Sequence, residues 1–223
     1  MTNIMMWSGP KTQLAPSIIE ARQPLGTEIK QHFVEWFSGD ALDSLWDSRQ
    51  VLGSGSTTMQ DTIDGGLRVN TSHSANSSRI ISFTDKRHYS FTGSVFIGLM
   101  KSRMIQTGVS AVGLSGVTTG SSLQVGGDAI YFVNNFNKSF KELTVGSGAA
   151  GSNVDTSIST NTNWDQAKGE LSSSYGQLHV NGNMEAIVTT TLPDLRLQPY
   201  MEARNFGSTS YFGDFRYFEA YNT

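Results

Sequence analysis

The chain of 223 residues contains no cysteine. Disulfides and thiolate metal sites are therefore excluded, and the redox compartment is left open. Charge is also scarce: charged residues make up 16% of the sequence and the formal net charge is −3, with lysine and arginine scattered singly. Nothing in this balance gives an electrostatic reason to expect nucleic acid. No window approaches the roughly 18 apolar residues that a membrane helix requires. The start, MTNIMMWSGP, has neither the basic and apolar segments nor the cleavage site of a signal peptide. Partners among nucleic acids and membranes are thus not expected. Proline is rare and unevenly placed, because three of the five, Pro10, Pro16 and Pro24, fall within the first 31 residues.

Those prolines interrupt every early stretch long enough to pair as a strand. Residues 1–31 are accordingly expected to form an extended arm, with SIIEAR as a turn or two of helix capped by Ser17. From His32 onward the pattern changes. HFVEWF, LRVNT, SRIISF, YSFTGSVFIGLMKS, VSAVGL, AIYFVNN and FKELTV are β-branched or aromatic runs bounded by Gly, Asp, Asn or Ser. About a dozen such runs, with no convincing long helix, predict a single all-β sandwich over residues 32–223.

The segment YGQLHVNGNMEAIVTTTLP, Tyr175 to Pro193, reads as a hairpin around Asn-Gly-Asn. A three-residue loop would pair Val180 with Met184, Leu178 with Ala186 and Gly176 with Val188 on an apolar face, leaving His179 opposite Glu185 outside. Residue Asn183 would then adopt the left-handed conformation.

Motifs for chemistry are few. GSGAAG, Gly146 to Gly151, matches a dinucleotide-binding spacing, but the next residues, SNVDTSISTNTN, favour turns and strands rather than the required helix. No nucleophile elbow, zinc-protease motif or P-loop occurs, and His32, His73, His88 and His179 are isolated. No cofactor and no metal site are expected; loops with Asp128, Asn134, Asn135 and Asn137 are the nearest thing to a cation site. The carboxylate pairs Asp40/Asp43 and Asp61/Asp64 lie in turns, where aspartate usually caps backbone N–H groups. Trp164, with Asn163 and Asp165, is the best candidate for glycan binding, since a ring can stack on a pyranose while amide and carboxylate take its hydroxyls. Trp36 and Trp46 sit in apolar contexts that point to the core.

Read in order, HYSFTGSVFIGLM, VSAVGL, DAIYFVNN, NTNWDQAKGEL, QLHVNGNMEAIVTTTLPDLRLQPYMEARN and GDFRYFEAY resemble the concanavalin A-like, laminin-G-like jelly-roll domains of bacteriophage virion structural proteins. Trp164, Asn181, Gly182, Leu192, Pro193, Pro199, Tyr200 and Tyr221 carry that resemblance, which spans about residues 33–222. It implies a concanavalin A-like jelly-roll β-sandwich with an extended N-terminal arm. It further implies a non-enzymatic capsid decoration, spike or fibre component at the virion surface. In this expectation the arm docks on capsid or tail proteins through Trp7, Pro10, Leu14, Pro16, Ile18, Ile19 and Leu25, and the protein is a homo-oligomer, with a trimer as the working symmetry. The alternative is a glycan-binding module for attachment to a host cell surface. The E-x-D-x-x-E strand of sandwich-fold endoglucanases is missing, which speaks against an enzyme.

Overall fold

The computed structural model describes residues 32–52, 54–60, 66–83, 88–103, 107–116, 127–148 and 150–223. The arm, with Trp7, Pro10, Leu14, Pro16, Ile18, Ile19 and Leu25, lies outside the described residues, as do Asp61 and Asp64. The described strands are β1 (His32–Glu35), β2 (Trp46–Leu52), β3 (Ser56–Gln60), β4 (Gly66–Asn70), β5 (Ser78–Phe83), β6 (Gly93–Ser102), β7 (Gly108–Ser115) and β8 (Ala129–Asn135). They continue as β9 (Phe140–Ser147), β10 (Ala150–Ser159), β11 (Asp165–Ser172), β12 (Gly176–Val180), β13 (Asn183–Val188), β14 (Gln198–Asn205) and β15 (Phe212–Asn222).

Two antiparallel sheets result. Sheet I runs β13-β12-β11-β6-β15-β4-β3, with β1 also on β15, and sheet II runs β10-β9-β8-β7-β14-β5-β2. Period-two alternation places the core between them. In β11, Ala167, Gly169 and Leu171 are buried while Gln166, Lys168 and Glu170 face out. The facing rows meet closely enough to require glycine: a Cβ on Gly98 of β6 would lie 2.5 Å from Cγ2 of Val112 on β7. Phe96, Met100, Val112, Phe132, Leu143, Phe215 and Phe218 fill the interior. Strand β7 is buried at every position, so its outward residues Val109 and Ala111 join Ile80, Tyr131, Val133 and Tyr200 in a second apolar cluster.

The Tyr175–Pro193 hairpin forms, with a different turn. Val180 pairs with Asn183, so the loop is the two residues Asn181 and Gly182, both at positive φ (51° and 88°). That is the type I′ geometry that Asn-Gly favours because it matches the twist of the strands. A bulge beyond His179 and Met184 then takes up one residue and restores Leu178 opposite Ala186 and Gly176 opposite Val188. Two of the three expected inner pairs, Leu178/Ala186 and Gly176/Val188, therefore form, while Val180/Met184 does not because the loop is one residue shorter, and Asn181 rather than Asn183 takes the left-handed conformation. Met184 is 61% exposed rather than packed inward, and Glu185 leaves His179 to accept bonds from the N–H and hydroxyl of Ser157 on β10. Of GSGAAG, Gly146 and Ser147 end β9 and pair with Gly151 and Ala150 of β10.

One charge pair lies inside the sandwich. Lys141 of β9 is fully buried, and its Nζ donates to Oδ2 of Asp165 on β11 and, at 3.0 Å, to Oδ1 of Asn161. Asn181 adds a bond from Nδ2 to the other Asp165 oxygen at 3.3 Å. Nearby, Ser102 accepts bonds from the Tyr211 hydroxyl at 2.7 Å and from Asn134 Nδ2 at 3.0 Å. A buried pair resists replacement of one partner, because the other is left charged without water. Lys141→Ala should cost about 3–5 kcal/mol, and Lys141→Met with Asp165→Leu should recover most of it; urea unfolding midpoints measure both.

Burial pushes the Tyr211 phenol up to about 12, against hydrogen bonds with Ser102 and Ser110 that lower it. The neutral form is thus favoured in the folded protein. Its contribution is complete below the ordinary tyrosine value of 10.0 and is lost as pH climbs from there through about 12. Unfolding free energy should fall over that interval, and Tyr211→Phe should flatten the fall; denaturant titrations at stepped pH read this out.

Candidate functional site

The most exposed aromatic side chain among the described residues, Trp36, lies on the outer face of sheet I, and a bulge in β15 helps build the surface around it; a second exposed ring, Phe140, belongs to β9 of sheet II. Phe215 pairs with Met100 and Tyr217 with Leu99, so Arg216 is the extra residue. Phe215 and Phe218 both point inward and are fully buried, while Arg216 and Tyr217 between them remain half-buried on the outside. Bulges commonly re-aim side chains in this way. After it, alternation carries Glu219 and Tyr221 to the outer face.

Strand β1 pairs with this part of β15, Val34 opposite Glu219. Alternation turns Phe33 into the core and Val34 outward. Glu35 then stays beside the core, where Oε2 accepts from Nε1 of Trp46 at 3.4 Å and Oε1 from the N–H of Phe37 at 2.9 Å. Phe37 has φ 48°, a left-handed conformation rare for a bulky residue, and its ring is buried against Trp46 at 5.7 Å. Trp36, between Glu35 and Phe37, is left 63% exposed.

Its ring lies against Tyr217, with centroids 4.5 Å apart and planes at 54°. The Tyr217 hydroxyl donates to Oε2 of Glu219, and His32 Nε2 lies 2.9 Å from Oε1. Burial first, and then the Glu219 carboxylate, holds the Tyr217 phenol well above its usual range, so it remains a donor. His32 also meets Tyr221 edge-on at 5.7 Å. The result is a ledge of rings around one carboxylate, continued across the sheet by Leu99 and by the exposed Gln166.

Of the two tryptophans expected in the core, one is there. Trp46 is in the core at 6% exposure as expected, but Trp36 is not. The signal was present in HFVEWF: strict alternation puts Phe33, Glu35 and Phe37 on one side and Val34 and Trp36 on the other. Trp164 is half-buried, and its ring carries both Lys101 Nζ and Arg216 Cζ at 5.3 Å from its centre. Asn163 is exposed, and its N–H is bonded to Asn161 Oδ1 at 2.9 Å. Asp165 points the other way, into the buried pair with Lys141. The three neighbours therefore do not form one site, and Asp165 is withdrawn as a partner for a ligand on this face.

Among the described residues no three His, Asp or Glu side chains converge as metal ligands. The suggested cation loop is dispersed: Asn134 turns inward to Ser102, and Asn135 Oδ1 accepts from the N–H of Asn137. Asp128 Oδ1 accepts from the N–H groups of Asp194 and Leu195 at 2.7 and 3.3 Å. Interaction with the Asp128 carboxyl raises the pKa of Asp194. Asp43 caps the N–H of Leu45 at 2.8 Å, as expected for aspartate in a turn.

No family model and no curated protein matches the chain. Solved structures do. A native glycosidic hydrolase superposes with a TM-score of 0.62 at 14% identity, covering 87% of this chain and 97% of its own. A Bacillus licheniformis β-glucanase gives 0.57 at 13% identity, with 86% and 98% covered. The metal-free carbohydrate recognition domain of Emp46p gives 0.55 at 10%, with 80% and 88% covered. The chain is thus a concanavalin A-like jelly-roll sandwich, the fold class of lectin domains and glucanases. None of these three is a virion protein, and nothing in them ties the chain to a virus particle. The expectation of a non-enzymatic protein is corrected by the same finding, because hydrolases share the fold. Absence of E-x-D-x-x-E rules out one arrangement of carboxylates and not that group of proteins.

The different placement of Trp36 and Trp46 has a measurable consequence. Trp46→Ala should lose about 3–5 kcal/mol of stability, whereas Trp36→Ala should stay within about 1 kcal/mol, since most of its ring is already in water. Urea midpoints of the two variants compare them directly.

Proposed function

We propose that this protein binds a carbohydrate on the outer face of sheet I, with Trp36 as the ring on which a sugar stacks. The observation that carries the reading is an indole 63% exposed yet held against Tyr217 at 4.5 Å. Single exposed apolar side chains are ordinary, but contiguous ones mark interaction surfaces. Here Trp36 adjoins Val34 and Tyr217, and Glu219 and Gln166 supply polar groups beside them. Apolar rings flanked by a few fixed polar groups suit a pyranose, which has apolar faces and a rim of hydroxyls. Support also comes from the fold, which is that of a carbohydrate recognition domain and of glucanases.

Wild-type protein on a glycan array should show saccharide binding, and Trp36→Ala should weaken it about tenfold or more, a loss of about 1.4 kcal/mol. A flat array would remove the proposal, as would full affinity in Trp36→Ala. Release of reducing ends from any bound polymer is read in the same samples, because hydrolases share the fold.

A further inference from the structure

We infer that the saccharide is acidic, and that its carboxylate or sulfate groups seat at the corner of sheet I around Trp164. This rests on the glycan-binding reading and names the ligand class for the same face. Beyond the Trp36–Tyr217 ledge, the outer face changes character. Lys101 and Arg216 both lie over the Trp164 ring, at 5.3 Å each. One register step away, Asp214 pairs with Lys101 across the strands and takes Arg68 Nε on Oδ1 at 2.9 Å. Arg103 Nε donates to its Oδ2.

This corner therefore gathers Arg68 and Arg103 on the Asp214 carboxylate and Lys101 and Arg216 on the Trp164 ring. Lys101, Arg103 and Arg216 make further contacts as well, so a ligand anion would join an existing network. The Asp214 side chain is only 4% exposed, while those of Arg68 and Arg103 are 22% and 34% exposed. The carboxylate is thus withdrawn and the guanidinium groups border water, an order that presents positive charge outward. Arginine forks suit carboxylates and sulfates, and contact with an aromatic ring helps fix where Lys101 and Arg216 stand.

The geometry connects the two halves of the face. Tyr217 follows Arg216 directly, and Gln166, which pairs with Leu99, lies two residues past Trp164. Two strand spacings, about 10 Å, separate β11 from β15, a span that a short run of sugar units covers. A chain resting on Trp36 and Tyr217 would extend over Leu99 and Gln166 into the cationic corner. Neutral polymers would gain nothing there.

The test is affinity electrophoresis of the full chain in gels containing polygalacturonate, dextran sulfate or a neutral β-glucan, at low and at raised salt. Acidic polymers should retard the protein at least about tenfold more strongly than the neutral one, and salt should erase the difference. Retardation by polygalacturonate alone would assign the anion as a carboxylate, and by dextran sulfate alone as a sulfate. Lys101→Gln with Arg216→Gln should abolish the preference, while Trp36→Ala should weaken binding to every polymer. If the double variant fails to fold by thermal melt, Lys101→Gln alone and the wild-type salt series decide. Equal, salt-independent retardation by the neutral glucan would overturn the acidic ligand and leave glycan binding intact. No retardation by any of the three would overturn both.

Discussion

The fold depends on a charge pair that crosses from one sheet to the other. Lys141 belongs to β9 of sheet II and Asp165 to β11 of sheet I, and neither has water to fall back on. Their bond does more than hold two strands. Asn161 joins through Lys141 and fixes the loop before β11, and its carbonyl accepts from Asn134 Nδ2 at 2.8 Å. Asn181 joins through Asp165 and fixes the type I′ turn. Such pairs are weak sources of stability, because desolvation offsets most of the attraction, but a wrong register would leave each charge alone. In this sandwich the pair is best understood as setting the alignment of elements that are far apart in sequence.

How much of this the sequence disclosed depended on the range of the interaction involved. Alternation is local, so the all-β class, the strands and the Leu178/Ala186 and Gly176/Val188 pairs were legible. The hairpin loop was misjudged because a bulge three residues from the turn can compensate for a shorter loop, and bulges leave little trace in a single sequence. Trp36 was assigned to the core from the company it keeps rather than from its parity within HFVEWF. Asp165 was grouped with Asn163 and Trp164 because neighbours in sequence look like neighbours in a site. Asp165, however, opens β11 with its side chain turned inward, and the partner that claims it, Lys141, is 24 residues away.

The same division holds for function. Residues of the candidate face come from β1, β6, β11 and β15, and their assembly depends on sheet order, which no local motif announces. Fold likeness at 10–14% identity supplies the architecture of lectin domains and glucanases without assigning any residue a role. What distinguishes this chain is therefore its own outer face: a stacked Trp36 and Tyr217 around Glu219, and a cationic corner around Trp164.

The bulge at Arg216 makes that face tolerant in one respect and brittle in another. Side chains at Trp36, Tyr217, Gln166 and Lys101 stand outside the core, so exchanging one for another alters what the surface touches and leaves the packing of Phe215 and Phe218 in place. Removing a single residue from β15 after the bulge is a different event. Every later position would change sides, sending Glu219 and Tyr221 toward the interior and Phe218 and Ala220 toward water. Over generations such a surface can drift freely in chemistry by substitution, while its length is held constant to the residue.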